Sequence, residues 1–180
     1  MKKITVDHHR RLLPLILTAL LILCAIAGHA APIRTVTATI TKITDGDTVQ
    51  AVTPEGTKLK VRLYGIDAPE TAKGKIPGEP FGNDARDYLA FLVSQKSVRV
   101  EIRDIDRYRR MVAILWLGER NINLEILSAG MAEAYGEYLK QPYRTSFLQA
   151  EQNAKAQGKG IWSQGRSYER PAQFRRRIGS

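Results

Sequence analysis

A small closed β-barrel with helices packed outside it is what this sequence of 180 residues predicts. Three observations carry that expectation. Apolar and polar residues alternate strictly over 36–40, 59–63 and 98–102, the period of half-buried strands. Met111 to Leu117 is a nearly continuous apolar run of strand length, consistent with a strand covered on both sides. Between the third and fourth strands, Ala85, Leu89, Leu92 and Val93 recur at helical spacing. Five short strands interrupted by a helix, with further helices after them, give an α+β class, mainly β, and the five-stranded OB type of barrel is its natural candidate.

Taken in order, Ile33 to Ile43 sets Val36, Ala38 and Ile40 among threonines as the first strand, and Thr48 to Val52 continues as the second. Pro54-Glu55-Gly56 supplies the turn chemistry of a hairpin, and Leu59, Val61 and Leu63 alternate with Lys58, Lys60 and Arg62 in the returning strand. Thr71 to Pro80 reads as an exposed loop, after which Asn83 or Asp84 is placed to cap the first helix. Val98 to Ile105 and Met111 to Leu117 complete the five strands. Leu124, Leu127 and Met131 mark a short helix closed near Gly130, and Thr145 to Gln157 a last one stopped by Gly158 and Gly160, for about three packed helices in all. Residues 165–180 hold five arginines and no evident core, which predicts a flexible basic tail.

The first 30 residues read as an export signal: Lys2, Lys3, Arg10 and Arg11 precede the apolar run Leu12 to Ala27 and a small-residue end, with cleavage after Ala30. The expected product is exported, periplasmic or secreted, with no stable membrane association once the signal is gone. Cleavage removes Cys24, His8, His9 and His29, so residues 31–180 contain neither cysteine nor histidine. Thiol nucleophiles, Ser–His catalysis and the usual zinc sites are thereby excluded. Carboxylates, cations and hydroxyls remain, and a metal among them would be a hard, oxygen-bound ion such as calcium or magnesium. The mature segment carries 24 Lys and Arg against 17 Asp and Glu, a net +7 that suits a polyanionic partner.

Two acidic motifs stand out against that basic background. Thr44-Asp45-Gly46-Asp47-Thr48 sets two carboxylates around a glycine, and Arg62-Leu63-Tyr64-Gly65-Ile66-Asp67-Ala68-Pro69-Glu70 leaves the return strand of the same hairpin. If the hairpin folds symmetrically about Glu55, Asp47 lies near Leu63. Four residues of straight strand would still part Asp47 from Asp67 by roughly 13 Å, too far for one ion. A bend at Gly46 and Gly65 would bring the two carboxylates to a shared calcium. Pro69 then stiffens the approach of Glu70. A third cluster, Asp106-Arg107-Tyr108-Arg109-Arg110, leads into the buried run. A phosphodiester under attack gathers negative charge, and planar guanidinium groups meet two of its oxygens at once, which selects Arg62 and Arg110. Glu70 is placed to orient or deprotonate a water.

With these residues in view, the chain resembles the staphylococcal nuclease family from about Val36 to Ser163. The anchors are Asp45-Gly46-Asp47-Thr48, Arg62 to Glu70, Asp106 to Arg110, Asn123 to Gly130 and Gly160-Ile161-Trp162-Ser163. The resemblance implies a nuclease domain over 31–164 with an OB-fold barrel. It implies calcium-dependent hydrolysis of DNA and RNA that breaks the bond to the 5′ oxygen and leaves 3′-phosphate ends. It implies Asp47, Asp67 and the main-chain carbonyl of Ala68 as calcium ligands, and Arg62, Glu70 and Arg110 as the catalytic residues. Two departures leave questions for the structure. Arg109 stands where the family usually has glycine, so either the turn tolerates a side chain or Arg109 takes the functional role. Tyr135, Tyr138 and Tyr143 are spaced differently from the tyrosines that pack on the nucleotide in the family.

The rival expectation is a barrel that binds nucleic acid without cutting it. Such a module would be expected to have lost an acid or an arginine, and none of Asp47, Asp67, Arg62, Glu70 and Arg110 is missing. An exported basic protein that binds acidic polysaccharide accounts for the charge and leaves the acids without a role. The expected partner is therefore a nucleic acid substrate, taken by a monomer.

Overall fold

The computed structural model describes residues 33–178. The expected signal, residues 1–30, lies outside the described residues. Within them, no helix is long and apolar enough to cross a membrane.

Five strands close the barrel. Strand β1 (Arg34–Asp45) pairs antiparallel with β2 (Thr48–Val52) through its second half and with β5 (Ser97–Ile105) through its first. Strand β3 (Lys58–Leu63) pairs with β2, and β6 (Met111–Leu117) with β5. A parallel pairing of β3 with β6, Val61 opposite Met111 and Leu63 opposite Ala113, joins the two ends of the sheet. Such closure removes the open edges a five-stranded sheet would otherwise present. The hairpin register is symmetrical about Glu55 as the sequence predicts, with Thr48 opposite Arg62 and Val52 opposite Lys58. Short strands β4 (Ile66–Asp67) and β8 (Glu133–Ala134) form a separate two-stranded ribbon, and β7 (Arg120–Asn121) pairs antiparallel with the end of β6.

The barrel is filled by the inward residues of each alternating strand, among them Ile40, Val49, Val61, Leu63, Val100 and Leu115, all buried. Helix α1 (Gly82–Val93) covers β1 with Ala85, Leu89 and Val93. Helix α2 (Ile122–Ser128) packs on β6 and against α3 (Tyr143–Ala156), which contributes the buried Phe147. Only the middle of β6, Ala113 to Leu115, is fully covered, so the expectation of burial on both faces holds for three of its seven residues. Asn123 is wholly buried and ties three elements together. Its Nδ2 donates to the carbonyls of Tyr64 (3.0 Å) and Ala113 (3.1 Å), while its Oδ1 accepts from the Leu115 amide (3.0 Å). The turn between β3 and β4 is thereby pinned to the barrel wall.

Two expectations are corrected. Neither Asn83 nor Asp84 caps α1. The helix begins from Phe81, whose side chain makes no cap, and the Gly82 amide donates instead to the Glu79 carbonyl at 3.0 Å. The preceding loop satisfies a free helical donor that a capping side chain would otherwise take. Residues 165–178 also differ from a tail without a core. A 3₁₀ segment (Gly160–Ser167) leads into α4 (Pro171–Ile178), whose Phe174 is 6% exposed. Pro171 at the first helical position, with Phe174 and Ile178 three and seven residues on, is the faint sequence pattern behind it.

Candidate active site

Gly46 and Asp47 form the two-residue turn between β1 and β2, with Asp45 opposite Thr48. Gly46 is there for space. A Cβ added to it would stand 2.6 Å from the Ala85 Cβ of α1 and 2.8 Å from the Ala68 Cβ. The turn, the helix and the segment after β4 meet at this one point. Gly46→Ala is therefore expected to destabilise the fold by about 1–3 kcal/mol through overpacking, read as a lower denaturation midpoint. Gly65 supplies the bend itself, with φ +72° at the turn from β3 into β4. That turn brings Asp67 back beside Arg62.

Both carboxylates are then almost wholly enclosed, Asp47 at 1% and Asp67 at 2% exposure. Asp47 accepts from the Thr48 hydroxyl (2.8 Å), from the Ala68 amide (3.0 Å) and from Arg62 through its Nη1. Burial alone would push its carboxyl up, but the Arg62 charge and these donors outweigh burial and hold it below the ordinary aspartate value. Arg62 donates its Nη2 to Asp67 Oδ1 at 2.8 Å, and so bridges the two acids. The chain has bent as the sequence requires, and two carboxylates twenty residues apart share one guanidinium.

The ion pairs run on beyond these three. Asp67 Oδ2 accepts from Arg175 of α4 at 2.7 Å, and Arg175 also lies 3.6 Å from Glu70. Glu70 accepts from Lys73 Nζ at 2.5 Å, and the same Nζ reaches Asp45 Oδ2 at 2.9 Å. Asp45 takes the Thr71 hydroxyl as well, at 2.7 Å. The result is a chain of alternating charge, Asp47, Arg62, Asp67, Arg175, Glu70, Lys73 and Asp45, which starts and finishes on the two residues flanking Gly46. The motif thus splits its work: Asp47 faces Arg62 and Asp67, while Asp45 anchors the loop that carries Lys73. Glu79 holds that loop from the other side, its Oε1 accepting the Glu70 amide at 3.1 Å. Burial, aided by the charges of Glu70 and Asp67, pushes the Glu79 carboxyl up to about 7 against the Glu70 amide and Arg175.

Arg110 stands in a neighbouring cluster. The backbone turn Asp106 to Arg110 places Arg109 at φ +60°, the left-handed conformation that glycine adopts most readily. The turn therefore tolerates a side chain in the glycine position, and Arg109 is exposed. Arg110 is half-buried, with its Nε donating to Asp106 Oδ2 at 2.7 Å. Parallel pairing of Arg62 with Val112 sets Arg110 two residues before the partner of Arg62, just ahead of the adjoining strand β6. Tyr108 is 63% exposed beside the guanidinium groups of Arg107 and Arg110. Tyr143 turns inward instead: its hydroxyl donates to the buried Glu101 at 2.8 Å, and its half-buried ring packs against the core. Tyr135 and Tyr138 lie against each other with ring centres 4.8 Å apart, and Tyr138 is largely exposed.

Sequence reasoning named Asp47, Arg62, Asp67, Ala68 and Glu70, and the structure gathers them. It missed Lys73, Glu79 and Arg175, which come from segments read as an exposed loop and a flexible basic tail. Among the described residues no group of three or more Asp, Glu, His or Cys side chains is arranged to hold a metal. Two buried carboxylates nevertheless fit a hard cation in donor type and sign, with carbonyl and water oxygens to complete its shell.

A five-stranded closed barrel with acids and arginines gathered outside one hairpin defines a nuclease-type OB fold. The family model described as "Staphylococcal nuclease homologue" matches residues 60–164. The chain belongs to that family and is a hydrolytic nuclease. It is 38% identical over 162 residues to an uncharacterized endonuclease of Haemophilus influenzae, covering 90% of this chain and 85% of that one. With a thermonuclease of Staphylococcus hyicus it shares 32% identity over 126 residues, 69% of this chain and 74% of the other. A probable endonuclease LCL3 of Candida tropicalis is 34% identical over 125 residues, 66% of this chain and about half (53%) of that longer protein.

Proposed function

We propose that this protein is an exported, calcium-dependent nuclease that hydrolyses phosphodiester bonds of DNA and RNA and leaves 3′-phosphate ends. The observation that carries the reading is the convergence of Asp47 and Asp67 on Arg62, with Glu70 joined to Asp67 through Arg175. Asp47, Asp67 and the Ala68 carbonyl would hold calcium, which when bound polarises the phosphate and lowers the barrier to attack. Glu70 orients the water and accepts its proton as the water oxygen bonds to phosphorus. Arg62 meets the charge that gathers on the phosphoryl oxygens as the bond to the 5′ oxygen breaks and that oxygen takes a proton from solvent water to leave as the alcohol. Arg110 presents the rest of its planar fork to the same oxygens, since its Nη groups have no hydrogen-bond partner among the described residues. Tyr108, exposed beside two guanidinium groups, offers a face on which a base can stack.

The test uses purified protein, single-stranded DNA and calcium, with and without a chelator. Cleavage that stops on chelation and returns with added calcium is the expected result. Intact substrate under both conditions, together with retention of the DNA by the protein, would replace this reading by the binding module. Sequencing the N-terminus of the exported product tests cleavage after Ala30.

A further inference from the structure

Arg175 sits in the middle of the alternating chain of charges, yet it comes from the last helix and not from the hairpin. We propose that α4 is an intramolecular latch, in which Arg175 occupies the carboxylates that a divalent cation requires, so that cation and guanidinium compete for Asp67. The inference rests on the calcium reading above and concerns only what stands in the cation's way.

Two arginines five residues apart dock α4 onto the β4–β8 ribbon. In that ribbon Asp67 lies opposite Glu133. Arg170 Nε donates to both oxygens of Glu133, at 3.0 and 3.1 Å, and Arg175 Nη2 donates to Asp67 Oδ2 at 2.7 Å. The buried Phe174, next to Arg175, anchors the helix by its apolar surface. Of the four carboxylate oxygens of Asp47 and Asp67, three are engaged by Thr48, Ala68 and Arg62, which belong to the hairpin and its exit. The fourth, Asp67 Oδ2, is engaged from α4.

Charge and hydrogen bonding both point to a latch that can open. Asp45, Asp47, Asp67 and Glu70 face Arg62, Lys73 and Arg175, so four negative charges meet three positive ones. Taking Arg175 away deepens the excess negative charge that would attract a cation, to which Glu79 adds when ionised. Arg175 Nη1 is buried without a hydrogen-bond partner, because Glu70 Oε1 at 3.6 Å is too distant to accept from it. One arm of the guanidinium is therefore held by charge alone and keeps a desolvated donor unsatisfied. Undocking returns that donor to water, which lowers the barrier to release.

Calorimetric titration of calcium into the purified full chain, without nucleic acid, tests the latch in wild type, Arg175→Gln and Arg175→Lys. Removing a like charge next to the cation is expected to tighten calcium binding by roughly tenfold in Arg175→Gln. Arg175→Lys keeps the charge and should stay near wild type. Equal or weaker binding by Arg175→Gln than by wild type would overturn the latch. Absence of calcium binding in all three proteins would instead overturn the calcium reading, and the latch with it. Phe174→Ala, which loosens α4 without touching the acids, is the second route to the same tightening should the Arg175 variants fail to fold by circular dichroism.

Discussion

Replacing Arg62 by alanine is expected to lower the unfolding free energy by about 3–5 kcal/mol at pH 7, measured by urea denaturation. The reason is the enclosure of its partners, Asp47 and Asp67, which would be left as buried carboxylates without the cation they share. The pH dependence gives the cause away. In the wild type Asp47 titrates below the ordinary value of 3.8, so it contributes stability that is present above that pH and lost as the pH falls through the folded value. Without Arg62, burial pushes the same carboxyl up. The unfolded chain then ionises it more readily, and the variant loses stability as the pH rises. The gap between the two proteins should accordingly narrow as the pH is lowered from 7 toward 3. A gap of constant size over that range would mean that Arg62 acts by packing, and not by neutralising Asp47.

Arg110→Lys is the second large effect, this time on rate. It is expected to lower kcat/KM by about 2–4 kcal/mol, roughly 30- to 900-fold, while stability changes little. Lysine keeps the charge but has no planar fork. Arg110 uses its Nε on Asp106, which leaves its Nη groups for the phosphate contact proposed above, an arrangement a single ammonium could not reproduce. Arg109→Gly is the matched control. Arg109 occupies a left-handed conformation, so glycine there should add about 1 kcal/mol of stability and leave cleavage intact. Near-normal turnover in Arg110→Lys with loss in Arg109→Gly would transfer the role to Arg109.

Much of the site was legible because it is local to one hairpin. Once Pro54-Glu55-Gly56 sets the turn, the register follows, and Thr48 opposite Arg62 places Asp47 beside the strand that carries Arg62. Gly65 then announces the bend that returns Asp67. The two glycines named for bending nevertheless act differently. Gly65 has the positive φ, whereas Gly46 makes room for Ala85 and Ala68, a reason that exists only once α1 has docked. Arg175 escaped notice because it stands in a run of three arginines, and nothing in the run distinguishes the one that turns inward. Its selection depends on Phe174, whose burial fixes the rotation of α4.

By itself the sequence determined the succession of the five barrel strands along the chain, the hairpin register, the absence of histidine and cysteine from residues 31–180, and hence a chemistry of carboxylates and guanidinium groups. These are properties of neighbouring residues and of composition, which a pattern of period two or 3.6 expresses directly. The tertiary structure alone decided which charges pair. It sent Asp45 to Lys73 and Asp47 to Arg62, turned Tyr143 onto the buried Glu101, and brought Arg175 to Asp67 from more than a hundred residues away. Ion pairing carries no sequence period, because Coulomb attraction acts through space and its partners are chosen by how the apolar surfaces beneath them pack.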